Sequence, residues 1–337
     1  MSSITPNPAR LVTVFGGSGF VGRHTVRVFA QMGWRVRVAC RRPDLAYHLQ
    51  PLGRVGQISA TQANVRYPAS VLAAVKGADA VVNLVGVRMP KGRQSFESVH
   101  AFGARTIGRA ARDSGVKTVL HVSAIGADAN ASSAYARSKA QGEAGILDGF
   151  ADATIVRPSL IFGPEDDFFN SFAAIARISP FIPLFGGGQT KFQPVYVGDV
   201  ARALAGFCDN AASKGKIYEL GGPEVKTFEE LMRFVSSITG RRRLFVPIPL
   251  PVANIQAFAL ELAHKLSLGI WPEWLTLTRD QVTLLLSDNI VSDAADADGR
   301  TLLGLGITPE SIETIVPTYL YRFRKTGQFE KPHGLGA

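Results

Sequence analysis

Residues 11–22 have the sequence LVTVFGGSGFVG, in which a run of apolar and β-branched residues meets a cluster of glycines. The run predicts a buried strand over Leu11–Phe15. After the glycines, Val21–Met32 has the pattern of a helix, and Gly33 supplies its stop signal. The segment therefore predicts a strand, a glycine-rich loop and a helix in direct succession.

The glycine spacing in this loop favours a phosphate-binding turn. Gly17, Gly19 and Gly22 match G-x-G-x-x-G, and Gly16 with the last two also matches G-x-x-G-x-x-G. Because glycine has no Cβ, a pyrophosphate can approach the backbone, and the free N–H groups at the start of the helix face it. A purely structural turn is the alternative, but the flanking strand and helix favour a dinucleotide site. The predicted contact residues are Gly16, Gly17, Ser18, Gly19, Phe20, Val21 and Gly22.

Strands and helices alternate along the first half of the chain. The predicted strands are Leu11–Phe15, Arg35–Cys40, Ile58–Asn64, Ala80–Val85, Thr118–Val122 and Ala153–Arg157. The predicted helices are Val21–Met32, Ser70–Val75, Ser95–Ser114 and Tyr135–Leu147. This alternation predicts an α/β fold, a Rossmann-type doubly wound parallel sheet with helices on both faces, over residues 10–160. From Pro158 onward proline and glycine become frequent, which predicts a smaller C-terminal α+β lobe over residues 161–330, interleaved with late elements of the sheet.

The composition is that of a globular protein with a sizeable core: 337 residues, 46% apolar and 19% charged. Two cysteines cannot form a disulfide scaffold, so a reducing compartment is favoured. The net charge of +10 favours anionic partners, but no nucleic-acid-binding motif accompanies it, and we expect no nucleic acid partner. No apolar stretch reaches the length of about 18 residues that predicts a transmembrane helix.

Metal chemistry is not predicted. The six histidines show no metal-ligand spacing. The acidic triplet Glu165-Asp166-Asp167 could form a cation site, but we expect a charged, solvated loop near the cleft, because acidic side chains are mostly exposed.

The end of the second predicted strand indicates which nucleotide is preferred. A site for NAD has an acidic residue about 20 residues beyond the first glycine, where it binds the ribose 2′-hydroxyl. Here the strand ends in Cys40-Arg41-Arg42, and the first acid, Asp44, follows Pro43 and is expected to lie too late. Two guanidiniums can pair with a 2′-phosphate, so we predict NADPH over NADH. The alternative is a pair of solvated surface arginines.

Three residues further along have the chemistry of a proton-transfer site. Ser123 follows the fifth predicted strand, and Tyr135 and Lys139 form a Tyr-x-x-x-Lys pair on the next helix. Positions i and i+4 share a helix face, so Lys139 is expected beside the phenol, where its charge would lower the pKa of Tyr135. Ser123 could then hydrogen-bond a substrate oxygen. Equally, the three side chains could hold the nicotinamide ribose by hydrogen bonds.

At these positions the chain resembles the extended short-chain dehydrogenase/reductase superfamily, in which such a Ser, Tyr and Lys carry out proton transfer during hydride exchange. The resemblance implies that Asn64 lies near the adenine and that the loop after the fourth strand borders the cofactor. It also implies that the segment after the sixth strand lies near the nicotinamide. The further nucleotide contacts that it implies are Val65, Leu84, Val85, Gly86, Val122, Arg157, Pro158, Ser159 and Leu160.

Over roughly residues 10–320 the chain also resembles the NADPH-binding accessory subunit of respiratory complex I, in the form of a bacterial relative of alphaproteobacterial type. The segments that carry this likeness are Met32-Gly33, Arg54–Gln57, Glu165–Phe172, Gln193–Val200, Trp274–Thr276, Thr278–Val282 and Leu305–Ile307. In that family the nucleotide is regarded as structural, and no substrate turnover is established. The resemblance implies complex I subunits as partners and a peripheral position on the cytoplasmic face of the bacterial inner membrane.

Residues 241–274 combine features of a surface that binds anionic lipid. The basic triplet Arg241-Arg242-Arg243 precedes a proline-rich apolar stretch, an amphipathic helix predicted over Val252–Leu268, and two tryptophans, Trp271 and Trp274. Ordinary packing within the second lobe is the alternative, because apolar helical faces usually lie in a core.

Two functions are therefore open at this point. One is a structural, NADPH-binding accessory subunit of a respiratory NADH–quinone oxidoreductase. The other is a free NADP-dependent reductase, epimerase or dehydratase that uses Tyr135 as its acid/base group.

Overall fold

The computed structural model describes residues 10–90, 92–249, 251–253, 255, 257, 278–325 and 327. The chain divides into two compact units. The first unit contains the residues up to Pro158 together with Val197–Leu220 and Ser292–Thr308. The second unit contains Ser159–Tyr196, Gly221–Val291 and the residues from Pro309 onward.

The first unit is built on a seven-stranded sheet in which every pair of neighbouring strands is parallel. Its strands, numbered along the whole chain, are β1 Leu11–Phe15, β2 Arg35–Cys40, β3 Ile58–Gln62, β4 Ala80–Asn83, β5 Thr118–Val122, β6 Thr154–Pro158 and β11 Ile217–Leu220. The order across the sheet is β11-β6-β5-β4-β1-β2-β3. Successive strands are added on one side of β1 up to β3 and on its other side from β4 onward, so the strand order reverses between β1 and β4. Sheets of this type bind their ligands at that point, outside the carboxyl ends of the strands.

Helices flank this sheet, as expected for the α/β Rossmann-type fold, which is confirmed. They are α1 Phe20–Gln31, α2 Pro68–Val75, α3 Phe102–Asp113, α4 Ala134–Gly149, α6 Val197–Phe207 and α9 Asp293–Ala297. Helices α2, α3 and α4 share one buried cluster with Phe15, Val81 and Val119 of the sheet, whereas α1 packs against α6. Short 3₁₀ turns lie at Pro43–Leu52, Ala211–Ser213 and Leu303–Leu305.

Two features of this unit differ from the sequence-based expectation. The strand β11 was not predicted, because its four residues, IYEL, are too short to stand out as an alternating pattern. The helix predicted over Ser95–Ser114 begins with a π-helical turn, Glu97–Ala101, before the regular helix α3. This turn carries the buried His100, so the irregularity lies beside the candidate site described below.

Glycines allow α4 to lie unusually close to α3. A Cβ at Gly145 would stand 2.6 Å from the carbonyl oxygen of Ala101, and one at Gly149 would stand 2.6 Å from the amide nitrogen of Arg109. Both distances are shorter than any real Cβ contact, so only glycine fits at these positions. Because α4 carries Tyr135 and Lys139, this close packing fixes two of the predicted site residues relative to the sheet.

The second unit contains short strands and helices around an aromatic core. Its strands are β7 Ile161–Phe162, β8 Phe181–Phe185, β9 Lys191–Phe192, β10 Val195–Tyr196, β12 Lys226–Thr227 and β13 Leu244–Ile248. They pair as β7 with β10 and β8 with β13, both parallel, and β9 with β12, antiparallel. Its helices are α5 Phe168–Ile178, α7 Phe228–Thr239, α8 Arg279–Leu284, α10 Ile312–Ile315 and α11 Pro317–Leu320, with 3₁₀ turns at Gly186–Gly188 and Tyr321–Phe323. Phe162, Phe169, Phe185 and Phe228 lie at the centre of its core.

The expectation of a solvated acidic loop at residues 165–167 is wrong for Asp166. Its carboxylate is buried, where it accepts hydrogen bonds from the Tyr319 hydroxyl and from the amides of Gly163 and Asn170. Burial raises the pKa of Asp166, and these donors oppose the rise. Glu165 and Asp167 are exposed, as predicted.

Much of the segment predicted to meet lipid lies outside the described residues. This applies to most of the predicted helix Val252–Leu268 and to both tryptophans, so these features stay predictions. Two arginines of the basic triplet are bonded to backbone carbonyls, Arg241 to Phe323 and Arg243 to Ala176. None of the helices within the described residues is long and apolar enough to span a membrane.

Candidate functional site

The glycine loop after β1 folds directly against the end of β4. Gly16 adopts a left-handed conformation with φ of 77°, and its amide donates to the Ala39 carbonyl at 3.2 Å. A Cβ at this position would lie 3.1 Å from the carbonyl carbon of Leu84 and 3.3 Å from the amide nitrogen of Val85. The loop therefore occupies the point where the strand order reverses, which is where this type of sheet binds nucleotides.

The first turn of α1 is arranged to receive an anion. Gly19 is the N-cap residue, and its amide donates to the Gly16 carbonyl at 3.0 Å. No side chain caps the helix and no acid lies in its first turn, so its leading N–H groups have no partner from a capping side chain. A Cβ at Gly22 would lie only 2.3 Å from the Gly16 oxygen, so the loop and the helix approach more closely than any other residue permits. Ser18 lies in this loop, and Phe20 and Val21 begin α1. Their predicted contacts with a nucleotide stay predictions.

The two arginines at the end of β2 are exposed, and each has a hydrogen-bonding partner. The Arg41 guanidinium donates to the side-chain oxygen of Gln94. Arg42 forms an ion pair with Asp44 at 2.9 Å. The chain turns into a 3₁₀ helix at Pro43, which brings the Asp44 carboxylate back to the Arg42 guanidinium. That Asp44 lies too late to bind a ribose 2′-hydroxyl stays a prediction. An exposed pair of this kind is weak, so Arg42 can exchange its partner for a stronger anion.

Asn64 and Val65 follow the carboxyl end of β3. The Asn64 side-chain oxygen accepts from the Arg66 amide at 3.2 Å and from its guanidinium at 3.4 Å. This arrangement leaves the Asn64 amide nitrogen as the group free to face a ligand. Val65 is buried against Gly103 of α3, where a Cβ would stand 2.9 Å from a Val65 methyl group.

A buried pair of Asn83 and His121 lies at the carboxyl ends of β4 and β5. The Asn83 oxygen accepts from the Val85 amide at 3.1 Å, so its amide nitrogen donates to Nδ1 of His121 at 3.0 Å. This places the imidazole proton on Nε2, which has no partner among the described residues. Burial, with a smaller effect of the Lys139 charge, lowers the pKa of His121 to about 3. The ring is therefore neutral at physiological pH.

His100 ties the loop after β4 to helix α4. Its Nε2 accepts from the Val87 amide at 2.9 Å, so its Nδ1 carries the proton and donates to the Ser138 hydroxyl at 2.8 Å. Ser138 in turn donates to the Tyr135 carbonyl at 2.7 Å. Burial, with the Lys139 charge as a second cause, lowers the pKa of His100 to about 4. Neither histidine was singled out from the sequence, because both act through tertiary hydrogen bonds that leave no spacing pattern.

The structure corrects the expected electrostatics of Tyr135 and Lys139. The Lys139 ammonium is buried and donates to the Val122 carbonyl at 2.8 Å. Burial lowers the pKa of Lys139 to about 8, while Glu143 works in the opposite direction. Burial raises the pKa of Tyr135, and the charge that opposes this rise is Arg88. The prediction that Lys139 lowers the phenol pKa is therefore wrong, because burial dominates and the ammonium is directed to a carbonyl oxygen.

Ser123 has the only orphaned buried hydroxyl near these groups within the residues that the structure describes. Its amide donates to the Val156 carbonyl at 2.7 Å, which fixes it at the carboxyl end of β5. Its Oγ is buried and has no hydrogen-bonding partner there. An unsatisfied buried hydroxyl costs about 1–3 kcal/mol, so a ligand that supplies a partner fits this position. The cradle of glycines and this hydroxyl together suit a dinucleotide.

The residues at the end of β6 and directly after it are already bonded within their own units. Arg157 forms a bidentate pair with Glu143, at 2.8 and 2.7 Å, which anchors α4 to β6. Pro158 accepts from the Ile125 amide at 3.1 Å. Ser159, which begins the second unit, donates to Asn289 at 2.7 Å, and Leu160 accepts from the Val195 amide at 2.9 Å. Their predicted contacts with a nucleotide stay predictions, as does that of the exposed Gly86.

The chain is similar to several known proteins. Residues 12–221 match the model of the NAD dependent epimerase/dehydratase family. The mitochondrial NADH dehydrogenase (ubiquinone) 1 alpha subcomplex subunit 9 of Arabidopsis thaliana is 34% identical over 94% of this chain and 79% of its own length. Ceramide reductase of Caulobacter vibrioides is 30% identical over 72% of this chain and 74% of its own.

Among solved structures, the NADPH-dependent quinone oxidoreductase QOR2 of Escherichia coli, complexed with NADPH, superimposes with a TM-score of 0.71. The superposition covers 92% of this chain and 99% of the other at 18% identity, which shows a shared fold. The family match spans β1 to β11 and so includes the glycine loop, His121, Ser123, Tyr135 and Lys139. The chain therefore belongs to the NAD dependent epimerase/dehydratase family, and within it to the group that includes subunit 9 of the ubiquinone NADH dehydrogenase 1 alpha subcomplex.

Proposed function

We propose that this chain is an accessory subunit of a respiratory NADH–quinone oxidoreductase (complex I), in which it holds NADPH without turning it over. The observation that carries the proposal is the cradle at the start of α1, where side chains at Gly16 and Gly22 would meet backbone atoms at 3.1 and 2.3 Å. Such close backbone packing serves a diphosphate. Similarity to an NADH dehydrogenase subunit along 94% of the chain supports the assembly.

The nucleotide would extend across the carboxyl edge of the sheet in the first unit. Its diphosphate would meet the loop from Gly16 to Gly22, and its 2′-phosphate would meet Arg41 and Arg42. Asn64 and Val65 would border the adenine. The nicotinamide end would meet the remaining predicted contacts of this unit, which are Leu84, Val85, Gly86, Val122, Ser123, Tyr135, Lys139, Arg157 and Pro158. A bound nicotinamide would supply hydride chemistry if a substrate could reach it.

The protonation states are compatible with a holding role. Because its pKa is raised, Tyr135 is protonated at neutral pH and donates a hydrogen bond rather than accepting a proton. Lys139 is held by the Val122 carbonyl at 2.8 Å. Ser123 supplies a third polar group, so the set suits the hydroxyls of a ribose. A nucleotide that binds only the folded chain stabilises it by mass action.

The proposed location is the cytoplasmic face of a bacterial inner membrane, where residues 241–274 would meet anionic lipid. Within the second unit, Leu244 is 73% exposed and Val246 is 41% exposed on β13, and the exposed Arg242 precedes them. Apolar side chains beside a cationic one suit a lipid interface. In co-sedimentation with phosphatidylglycerol vesicles, the double variant Leu244→Asp/Val246→Asp should lose binding. Equal binding of the wild-type chain and the double variant to the vesicles would refute the proposed lipid contact.

Affinity purification from detergent-solubilised membranes tests the proposed assembly. The tagged chain should bring down the subunits of the NADH–quinone oxidoreductase in constant ratio, identified by mass spectrometry. A family member from the same cell that lacks this similarity serves as the control bait. Recovery of the chain free of those subunits would contradict the proposal.

A second candidate is a free NADP-dependent reductase, epimerase or dehydratase. The similarity to ceramide reductase favours it, as does the presence of Ser123, Tyr135 and Lys139 on neighbouring elements. In this case the Tyr135 hydroxyl would give its proton to a carbonyl oxygen of the substrate. Oxidation of NADPH by lipid ketones, abolished by Tyr135→Phe with the nucleotide still bound, would support this candidate over the first.

A further inference from the structure

Two connecting segments of the first unit lie together at a place remote from the glycine loop. Met32-Gly33 joins α1 to β2, and residues 53–57, named here the amino-edge turn, lead into β3. Both segments border the amino ends of parallel strands, whereas the glycine loop follows a carboxyl end. Between them lies an open groove of about 670 Å³, and it is lined mainly by these two segments.

The shape of the amino-edge turn is fixed by hydrogen bonds from one side chain. Gln57 Nε2 donates to the carbonyls of Ala30 at 2.7 Å and Trp34 at 2.9 Å, and its Oε1 accepts from the Arg54 amide at 2.8 Å. A Cβ at Gly53 would stand 2.9 Å from that same Oε1, so a glycine at this position leaves space for the Gln57 side chain and its hydrogen bonds. The turn is therefore a rigid feature tied to the α1–β2 connection.

This rigid turn presents an aliphatic side chain and positive charge to solvent. Val55, at its tip, has a relative exposure of 107%, the highest among the exposed large apolar residues of the described chain. Arg35 and Arg54 flank the groove and are exposed. Of the ten residues that line the groove, two are arginines and none is acidic.

We infer that the amino-edge turn is a docking surface for an acidic segment of a neighbouring protein subunit. Val55 inserts into an apolar pocket of that partner, and the guanidiniums of Arg35 and Arg54 pair with its carboxylates. A protein fits better than a lipid surface, because a single fixed aliphatic residue requires a pocket of matching shape. The inference rests on the proposed membership of an assembly and names the surface that joins it. Since the groove lies at the opposite edge of the sheet from the glycine loop, docking and nucleotide binding can occur together.

Site-specific photo-cross-linking in the intact assembly tests this surface. A benzoylphenylalanine at position 55 should cross-link to one oxidoreductase subunit, within a peptide rich in Asp and Glu. Arg35→Glu/Arg54→Glu should reduce both the cross-link and the amount of chain retained in the complex by about tenfold or more, which corresponds to the loss of 1.4 kcal/mol or more of binding. Arg35→Lys/Arg54→Lys should retain most of both signals. Arg105→Glu/Arg109→Glu on α3, an equal change of charge at exposed arginines, should leave them unchanged.

The outcomes separate this inference from the proposed function. If the wild-type chain enters the complex and Arg35→Glu/Arg54→Glu and Val55→Asp enter equally well, the docking surface is refuted and the proposed function stands. A cross-link to lipid or to a second copy of the chain also refutes it. If the wild-type chain does not enter the complex, both proposals fail. The nucleotide content of each variant, measured in parallel, should match the wild type and shows that the variants are folded.

Discussion

Substitution of Gly22 by alanine separates a nucleotide-binding loop from a merely structural one. The added Cβ would lie 2.3 Å from the Gly16 oxygen and 2.6 Å from two backbone atoms of Gly17. None of these is the flexible end of a side chain, so the loop and the helix must move apart by about 1 Å to reach the 3.4 Å of ordinary contact. That displacement carries the N–H groups of the first turn away from a bound diphosphate.

Two opposing effects set the stability of this variant. Overpacking costs about 1–3 kcal/mol, and the better helix propensity of alanine returns about 1 kcal/mol. The free energy of unfolding should therefore fall by only about 0–2 kcal/mol, and the protein should remain folded. Nucleotide affinity should fall much further. Loss of two hydrogen bonds to a charged group, at about 1.5 kcal/mol or more each, weakens binding roughly a hundredfold.

Isothermal titration calorimetry with NADPH measures the affinity, and urea unfolding measures the stability. Gly33→Ala is the matched control, because Gly33 has a φ of 82° and nothing within 4 Å of a Cβ. It should destabilise the fold by about 1–2 kcal/mol through backbone strain alone and leave the NADPH affinity unchanged. A Gly22→Ala protein that binds NADPH within about threefold of the wild type would refute the reasoning.

Three further predictions concern pH, helix packing and nucleotide choice. His100 and His121, with pKa values lowered from 6.5 to about 4 and about 3, should make the unfolding free energy fall as pH drops from 6.5 toward 4. The unfolded chain binds the extra protons in that range, so the unfolding free energy should fall by about 1.4 kcal/mol per pH unit for each ring. An unfolding free energy from urea titrations that does not change between pH 6.5 and 4 would contradict this prediction. Gly145→Ala should lower thermal stability by about 1–3 kcal/mol, since its Cβ would stand 2.6 Å from a backbone oxygen. The control is Gly206→Ala on α6, where a Cβ would have open space around it, and this variant should gain up to about 1 kcal/mol of stability. If calorimetry shows the same loss of stability in both variants, the close packing of α4 on α3 is not the cause. Asp44→Asn should strengthen binding of NADPH but not of NADH, because it frees a guanidinium from its carboxylate; an equal effect on both nucleotides in titration would argue against a 2′-phosphate site.

The framework of the first unit was predictable because it depends on local patterns. The strand Leu11–Phe15, the glycine loop and the helix that follows occur where the sequence places them. The alternation of strands and helices then fixes a parallel sheet, because parallel strands need crossover connections. The short strand β11 was not predicted, since its position is set by pairing with β6 across the intervening residues 159–216 rather than by its own pattern.

The electrostatics of the site depend on tertiary contacts and were harder to predict. The Tyr-x-x-x-Lys spacing correctly places Tyr135 and Lys139 on one helix, but it says nothing of the Val122 carbonyl that holds the ammonium. The return of Asp44 to Arg42 depends on a 3₁₀ turn that periodicity does not reveal. His100 acquires its role from a π-helical turn and from partners far along the chain. Such groups are recognised only once the fold brings them together.

The most direct measurement is the identity of the nucleotide carried by the purified protein. The chain, isolated from the cells that produce it without added cofactor, would be denatured and the released nucleotides quantified by liquid chromatography and mass spectrometry. We predict NADP(H) in equimolar amount with the chain, and none in Gly22→Ala prepared in the same way. A wild-type protein that carries no pyridine nucleotide and takes up none on incubation, or one that carries NAD(H) instead, would contradict the account.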